Sequence, residues 1–283
     1  MSKIISYLRL MRPVNCVMMG FAVLVGAAIA NPNILFTPWL YLVYGFTTGF
    51  MLTAASMCIN DYYDTAIDAV NEPTRPIPSG LVRPKEALTF AFLLTAIGFT
   101  AAYLTNVFCF VIAILAWIVF ASYTTVGKRS GLPGNFLVSI CVAVPLIYGN
   151  YTVVGAIDLN VLIFASMAFL SNTGREITKG IVDIQGDKAQ NVKTLAVRFG
   201  EKNAAVAATV FYLTAVLLSP VPWFSGIVSV SFIPLVATTD FGLVVSSLML
   251  LRDYSRENAR KVKKMVLYLL FVGLVGFVIG AVT

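Results

Sequence analysis

Long apolar runs separated by short polar segments make up most of this chain. A helix that crosses a bilayer needs about 20 mostly apolar residues. On that rule we predict spanning helices over residues 14–30, 38–60, 87–105, 107–126, 136–156, 159–179, 204–221, 226–251 and 264–282. The pattern therefore predicts an all-α, polytopic membrane protein with about nine transmembrane helices, forming a single domain over residues 1–283.

The composition supports a membrane protein. The chain is 59% hydrophobic and 12% charged, with a mean hydropathy of +0.87, which is far from the balance of a soluble domain. Three basic residues precede the first apolar run, as in a signal peptide. We nevertheless expect this run to remain in the protein as its first transmembrane helix.

Two residue types exclude several kinds of chemistry. The chain has no histidine, which excludes histidine acid–base catalysis, histidine metal sites and Ser-His-Asp triads. Its four cysteines stand singly in apolar segments without a C-x-x-C spacing. We therefore expect structural cysteines that act as small hydrophobic residues, and neither disulfides nor a zinc site.

The basic residues are distributed asymmetrically. All 20 Lys and Arg residues precede the first predicted helix, lie at the end of the sixth, or lie in or at the edge of the segments that follow the second, fourth, sixth and eighth. With nine crossings they share one face of the membrane, and the positive-inside rule makes that face cytoplasmic. The links on the opposite face are short and uncharged apart from Asp158. We predict a multi-pass protein of the cell membrane, surrounded by lipid and without a nucleic-acid partner, whose polar chemistry lies on the cytoplasmic side.

The first concentration of polar residues is Asn60–Gly80, directly after the second apolar run. On one helix, Asn60, Asp61, Asp64 and Asp68 would fall within an arc of about 100°. Like charges at this spacing repel, and the repulsion is stronger where screening is weak. The segment therefore indicates a cation site. The alternative is a solvated acidic face at a helix end.

A second polar segment follows the sixth apolar run. Glu176, Lys179, Asp183 and Asp187 would form one stripe on a continuous helix that leaves the membrane. The two acidic clusters would then face one another across a central cavity that is open to the cytoplasmic face. Carboxylates suit Mg²⁺, which takes one or two of them together with substrate phosphate oxygens. Interleaved bases complete a candidate phosphate site, although each base alone could be a topology determinant: Arg75, Lys128, Arg129, Lys179 and Lys193.

These motifs resemble those of a known family. The pattern N-D-x-x-D-x-x-x-D at Asn60–Asp68, followed by R-P-x-x-S-G at Arg75–Gly80, resembles the first aspartate-rich motif of the UbiA superfamily of intramembrane prenyltransferases. Asp183-x-x-x-Asp187, with Lys193-Thr194-Leu195 downstream, resembles the second motif. Tyr123 with Gly127-Lys128-Arg129 resembles the family's Y-x(n)-K-R segment. The resemblance covers nearly the whole chain.

The resemblance implies roles for individual residues. It implies that Mg²⁺ is held by Asp61, Asp64, Asp68, Asp183 and Asp187, and that all of these except Asp61 are catalytic. It further implies a set of residues that bind the substrates: Asn60, Arg75, Tyr123, Lys128, Arg129, Lys179 and Lys193.

Two segments narrow the resemblance. SNTGREITKGIVDIQGD and YTTVGKRSGLPGN are most similar to archaeal digeranylgeranylglyceryl phosphate synthases. That similarity implies transfer of a geranylgeranyl group from geranylgeranyl diphosphate, the prenyl donor, to the glycerol hydroxyl of geranylgeranylglyceryl phosphate, the lipid-phosphate acceptor, with release of diphosphate. An aromatic-acceptor prenyltransferase that acts on quinone precursors is the alternative within the superfamily.

Two readings from other classes fit less well. An ion-coupled transporter predicts charges at the midplane or on both faces, whereas only Asp240 lies deep in an apolar run. A CDP-alcohol phosphotransferase would carry a D-G-x-x-A-R core, which this chain lacks. Asp240 should face the bundle or be protonated. Glu176 with Arg175 could be an acceptor-side or a structural pair, and we favour the structural interpretation. Gly186, inside the second motif, should loosen the helix there.

Overall fold

A computed structural model describes residues 3–34 and 38–283. Within these ranges the regular structure is helical, with no strand. One 3₁₀ turn spans Gly127–Ser130. The helices are α1 (Lys3–Met11), α2 (Pro13–Ala30), α3 (Trp39–Tyr63), α4 (Thr65–Asn71), α5 (Pro84–Thr105), α6 (Val107–Thr125), α7 (Leu132–Val154), α8 (Leu159–Val182), α9 (Ile184–Ala189), α10 (Leu195–Leu218), α11 (Val221–Phe224), α12 (Phe232–Arg252) and α13 (Arg256–Val282).

The long helices pack as a closed ring. Going round it, α2 contacts α3, then α5, α6, α7, α8, α10, α12 and α13 follow, and α13 returns to α2. Further pairs cross the ring, above all α2 with α7 and α8 with α13. The α2–α7 pair is close because neither Gly26 nor Gly149 leaves room for a Cβ against the backbone of the partner helix. Small residues of this kind let helices approach closely in a membrane.

Eight helices in the described part of the chain are long and apolar enough to cross a membrane, so the protein is a multi-pass membrane protein. The remaining long helix, α8, carries Arg175, Glu176 and Lys179 in its second half. It still runs the length of the bundle: Asn150 Oδ1 accepts from the amide of Asp158 at its start (3.0 Å), and Asp183 O accepts from Asn71 at its end (3.0 Å). Nine crossings stay a prediction, as does the single domain.

The predicted spans differ most from the helices at two places. Helix α10 begins at Leu195 rather than 204, because it continues across a kink at Gly200, where φ is 84°. Helix α13 begins at Arg256 rather than 264, because its first turns are charged. Hydropathy detects only the apolar part of such a helix.

One prediction about the acidic motifs was wrong. Neither motif lies on a single continuous helix. Asp64 separates α3 from α4 (φ −87°, ψ 2°), and Asp183 separates α8 from α9 with nearly the same backbone angles (φ −95°, ψ 5°). Each motif is therefore a long helix, a break at an aspartate and a short helix.

The polar ends of the helices meet at one end of the bundle. Lys3 pairs with Glu86 at 2.8 Å and Arg260 with Glu72 at 2.8 Å. These contacts bring the N-terminus, the α4–α5 link and the start of α13 together. The acidic motifs lie at this same end.

Candidate functional site

The two short helices of the acidic motifs are joined side by side. Asn71, at the end of α4, donates from Nδ2 to the carbonyl of Asp183 (3.0 Å) and accepts from the amide of Gly186 (3.1 Å). An added Cβ on Gly186 would lie 2.8 Å from the carbonyl oxygen of Ile67. Arg256 then donates to the carbonyls of Val182 (2.9 Å) and Asn71 (3.1 Å). This junction sets the position of the first motif relative to the second.

The carboxylates of the first motif are buried and each is paired with a base. Asp61 accepts from Arg12, and Asp64 accepts from Lys128 of the 3₁₀ turn. Asp68 accepts from Arg75 at 2.5 Å. Because these ion pairs are poorly exposed, loss of one partner would leave an uncompensated buried charge.

The proline-rich segment after α4 contains Arg75 and folds into tight turns. The amide of Ser79 donates to the carbonyl of Arg75 (3.0 Å), and the amide of Gly80 donates to Ile77 O (3.0 Å). Gly80 has φ +75°, a conformation that glycine adopts at little cost. These successive turns leave the Arg75 guanidinium 3.5 Å from Asp61 as well.

The second motif differs from the first in the basic groups that lie near its carboxylates. Among the described residues, neither Asp183 nor Asp187 has a basic group within the 4.0 Å ion-pair distance. Burial, reinforced by the neighbouring Asp183 carboxylate, raises the pKa of Asp187 to about 7. Burial also raises the pKa of Asp68 to about 6, although Arg75 opposes that shift. A bound cation would displace the protons of both carboxyls and stabilise their charged forms. Both groups therefore favour cation binding.

The donor atoms present fit Mg²⁺ when a phosphate-bearing ligand completes the set. No three His, Cys, Asp or Glu side chains in residues 3–34 and 38–283 are grouped closely enough to hold a metal alone. The side-chain oxygen of Asn60 is buried without a hydrogen-bond partner, beside the carboxylates. Since Mg²⁺ takes one or two carboxylates with phosphate oxygens, the site suits a metal that arrives with a phosphorylated substrate.

A cavity lies beneath this junction, and we call it the chamber. Its polar lining includes Asn60, Arg75, Tyr123 and Lys179. It shares lining residues with two apolar lobes. One lobe, which we call the α8–α13 lobe, adjoins the chamber at Met18 and Leu270. The other, which we call the α3–α6 lobe, adjoins the chamber at Thr53, Ser56 and Phe120.

The structure brings most of the predicted site residues together. Asn60, Arg75, Tyr123, Lys128, Lys179 and the aspartates Asp64, Asp68, Asp183 and Asp187 all line one polar recess at the top of the chamber. Asp61 is behind it, bonded to Arg12 and Arg75. Arg129 and Lys193 are exposed and do not line the recess. The roles of all these residues stay predictions.

Three residues that sequence reasoning did not assign to the site belong to its surroundings. Arg12 pairs with Asp61, Asn71 joins the motifs, and Lys263 lines the chamber. The sequence alone predicts only a topology role for Arg12 and Lys263. Asn71 had one sequence signal: it stands three residues after Asp68 and so continues the same polar helix face.

Two acidic residues outside the motifs also have definite environments. Asp240 lines the α8–α13 lobe and accepts from Ser219 Oγ at 2.5 Å, so it faces the bundle as expected. Glu176 accepts from Arg175 (3.3 Å) and from Lys179 (3.4 Å). This geometry agrees with the interpretation of Arg175 and Glu176 as a pair.

Comparisons with known proteins identify what this chain is similar to. The model of the UbiA prenyltransferase family matches residues 19–277. The digeranylgeranylglyceryl phosphate synthase of Archaeoglobus fulgidus is 37% identical over 276 residues, covering 96% of this chain and 94% of that protein.

Solved structures share the architecture. A digeranylgeranylglyceryl phosphate synthase structure superimposes with a TM-score of 0.75 and 29% identity, covering 100% of this chain and 99% of its own. A UbiA homologue from Archaeoglobus fulgidus bound to GPP and Mg²⁺ superimposes with a TM-score of 0.61 and 19% identity, covering 96% and 99%. The second likeness extends to the fold alone.

Proposed function

Because the chain belongs to the UbiA prenyltransferase family, we propose that it transfers a geranylgeranyl group from geranylgeranyl diphosphate to the glycerol hydroxyl of geranylgeranylglyceryl phosphate. The reaction forms the ether bond, releases diphosphate and depends on Mg²⁺. We place it at the cytoplasmic face of the cell membrane, where the positive-inside rule puts the 20 basic residues.

One structural observation carries this proposal. Two acidic motifs that are more than 100 residues apart are joined by Asn71 at the mouth of a chamber that continues into apolar lobes. A prenyl diphosphate has the matching form, with a polar head that binds metal and a long apolar tail. The name of the Archaeoglobus fulgidus relative supports a lipid-phosphate acceptor over an aromatic one.

The aspartates of both motifs, Asp61, Asp64, Asp68, Asp183 and Asp187, would hold Mg²⁺. Asn60 supplies an amide oxygen with no other partner. When bound, Mg²⁺ stabilises negative charge on the departing diphosphate. Mg²⁺ bound in the related UbiA homologue with GPP supports this cofactor.

The bases of the recess act on the same leaving group. Arg75 and Lys128 are held at the carboxylates by ion pairs, so they are oriented before substrate arrives. Lys179 lines the recess from α8. Fixed positive charge in a site with little water stabilises developing anionic charge strongly. These three side chains therefore favour heterolysis of the bond between the prenyl carbon and diphosphate.

The remaining step needs no enzyme nucleophile. The acceptor hydroxyl supplies the electron pair of the new C–O bond while the prenyl carbon loses its bond to diphosphate, and the hydroxyl proton leaves to a basic oxygen in the recess. The apolar lobes that adjoin the chamber limit the water near the prenyl group, and this water would otherwise compete with the hydroxyl. The absence of histidine from the chain is compatible with this chemistry.

Replacing one aspartate at each helix break tests the proposal. We expect Asp64→Ala and Asp183→Ala to lower prenyl transfer by about 100-fold or more, since each removes a fixed charge from the reacting centre. The assay uses membranes with Mg²⁺, geranylgeranyl diphosphate and one of three acceptors: geranylgeranylglyceryl phosphate, 4-hydroxybenzoate or dihydroxynaphthoate.

Glu257→Gln is the matched control, since Glu257 is exposed and pairs with Lys261. Near wild-type turnover in both folded aspartate variants would refute the metal assignment. Conversion of an aromatic acceptor alone would replace the lipid-phosphate acceptor while leaving prenyl transfer intact.

A further inference from the structure

Charged side chains form two groups around the chamber and the recess above it. One group, which we call the acidic wall, surrounds the recess and holds Asp61, Asp64, Asp68, Asp183 and Asp187, with Arg12, Arg75 and Lys128 as their neighbouring bases. It has a formal excess of negative charge. The other group, which we call the basic wall, lines the chamber and consists of Arg175 on α8 and Lys263 on α13, together with Glu176. Lys179 borders both groups, since it also lines the recess. The basic wall has a formal excess of positive charge.

The basic wall is incompletely satisfied. Arg175 and Lys179 share the single carboxylate of Glu176 through long contacts of 3.3 and 3.4 Å. The Nε of Arg175 is buried and has no hydrogen-bond partner. Among the described residues, Lys263 has no carboxylate within ion-pair distance. Buried donors without partners are costly, so this wall favours an anionic ligand.

The excess charge suits a phosphate monoester. Arg175 and Lys263 face the single carboxylate of Glu176, which Lys179 shares, so positive charge remains uncompensated on this wall. A phosphate monoester carries about −1.5 to −2 charge at pH 7. Arg175 can offer two parallel N–H groups to phosphate oxygens, and Lys263 adds a point charge from the facing helix.

The apolar surface continues directly from this wall. On α13, Leu267, Leu270 and Leu274 follow Lys263 at one, two and three helical turns, and they line first the chamber and then the α8–α13 lobe. On α8, Ser171 stands one turn from Arg175 and lines the same lobe. A ligand with a phosphate head and a hydrocarbon chain therefore has a continuous path here.

We propose that the basic wall is the subsite for the phosphate of the acceptor, and that the acceptor's hydrocarbon chain enters the α8–α13 lobe. This inference rests on the proposed function and names the part of the site that recognises the acceptor. The glycerol hydroxyl then lies between the basic wall and the acidic wall, where the donor diphosphate binds. Arg175 and Lys263 are specificity-determining residues in this arrangement.

Kinetics of two independent variants test the assignment. We expect Arg175→Gln and Lys263→Gln each to raise the KM for geranylgeranylglyceryl phosphate by 10-fold or more while the KM for geranylgeranyl diphosphate changes less than twofold. Lys263→Arg, which keeps the charge, should restore most of the acceptor affinity. Lys261→Gln is the matched control on α13, since Lys261 is exposed and pairs with Glu257.

A binding measurement separates this inference from the proposed function. Purified protein without donor or Mg²⁺ is titrated with geranylgeranylglyceryl phosphate and with the same lipid lacking phosphate. The wild type should prefer the phosphate form by 10-fold or more, and both Gln variants should lose that preference.

Three results would overturn the assignment. A rise in the donor KM instead of the acceptor KM assigns the wall to diphosphate. An unchanged acceptor KM in both Gln variants, or no phosphate preference in wild-type binding, makes the wall structural. Wild-type enzyme that binds the phosphate lipid but transfers no prenyl group to it contradicts the proposed function while supporting the phosphate subsite.

Discussion

At the scale of single residues, the carboxylates of the site fall into two groups. Asp61, Asp64 and Asp68 each have a basic partner, whereas Asp183 and Asp187 have none within ion-pair distance in the described part of the chain. The unpaired group is where added positive charge is most stabilising. Cation binding should therefore be most sensitive to the protonation of the second motif.

Binding of Mg²⁺ should weaken as the pH falls. The pKa values of Asp187 and Asp68, raised to about 7 and about 6, mean that both carboxyls gain protons as the pH falls from 8 to 6. Because Mg²⁺ must displace these protons, its dissociation constant should rise about 10-fold over that interval. Calorimetric titration with Mg²⁺ in the presence of inorganic diphosphate measures it.

Asp187→Asn provides the control for this titration. An amide cannot take up a proton in this range, so the pH dependence should shrink to the part that Asp68 and the diphosphate itself contribute, and some of the affinity should be lost. A wild-type dissociation constant that stays constant between pH 8 and 6 contradicts the expectation.

The sequence identified the acidic residues more readily than their partners. Aspartates at spacings of three and four are conspicuous beside apolar runs, and Asp64, Asp68, Asp183 and Asp187 do line one recess. Arg12 and Lys263 were not assigned to the site because a base beside a membrane helix is usually an orientation signal. Only the three-dimensional structure shows that both point into the bundle.

At the scale of elements, the important features are the breaks at Asp64 and Asp183. Each break turns a short helix away from its long one, and α4 and α9 then pack against each other. Thr65 supports the first break because its hydroxyl donates to the carbonyls of Asp61 (3.1 Å) and Tyr62 (2.8 Å). Gly186 supports the second by permitting close contact with Asn71.

Adding one methyl group at this contact should separate the motifs. In Gly186→Ala the new Cβ would lie 2.8 Å from the Ile67 carbonyl oxygen, so α4 and α9 must move apart. Overpacking of this kind costs about 1–3 kcal/mol. We expect a lower melting temperature and a loss of activity of at least 10-fold, measured on detergent-purified protein.

Gly180→Ala is the matched stability control for this variant. Its Cβ would lie 3.6 Å from Thr194 Cβ, an ordinary contact, and alanine favours a helix over glycine. Its melting temperature should be unchanged or higher. If Gly186→Ala has the melting temperature of the wild type and keeps full activity, the α4–α9 contact does not align the motifs.

Hydrophobic periodicity predicted the long helices but not these breaks. An apolar run of the required length is visible in the sequence, and every predicted span overlaps a helix of the structure. The breaks occur in polar segments that are equally compatible with a continuous helix, so periodicity contains no information about them. Gly186 was the one local signal, and it lies next to the second break rather than at it.

At the scale of the whole molecule, charge divides the bundle into two unlike ends. The end that holds α4, α9 and the start of α13 carries the ion pairs described above, whereas the link between α10 and α12 contains no charged residue. Such asymmetry is what orients a multi-pass protein in its membrane. The candidate site should therefore be reachable from only one side.

Labelling of engineered cysteines in intact cells tests this orientation. Lys188 lies at the polar end and Ser225 at the opposite end. Both positions are exposed, so each is replaced by cysteine in turn. A thiol reagent that cannot cross membranes should modify Ser225→Cys from outside and Lys188→Cys only after lysis. The parent protein is the background control, since Cys16, Cys58 and Cys109 are buried. The reverse pattern would place the candidate site outside the cell.

The ring closure between α2 and α13 also has a consequence for biosynthesis. Helix α2 is among the first parts of the chain to be made, yet it meets α13, the last helix, across the seam of the ring. The seam cannot form until α13 has been translated. Until then Arg175, Glu176 and Lys179 occupy an unfinished bundle without the helix that faces them, exposed to lipid or to the insertion machinery. Assembly of this protein is thus completed in one late event, and until that event the nascent chain is the form most exposed to membrane chaperones and proteases.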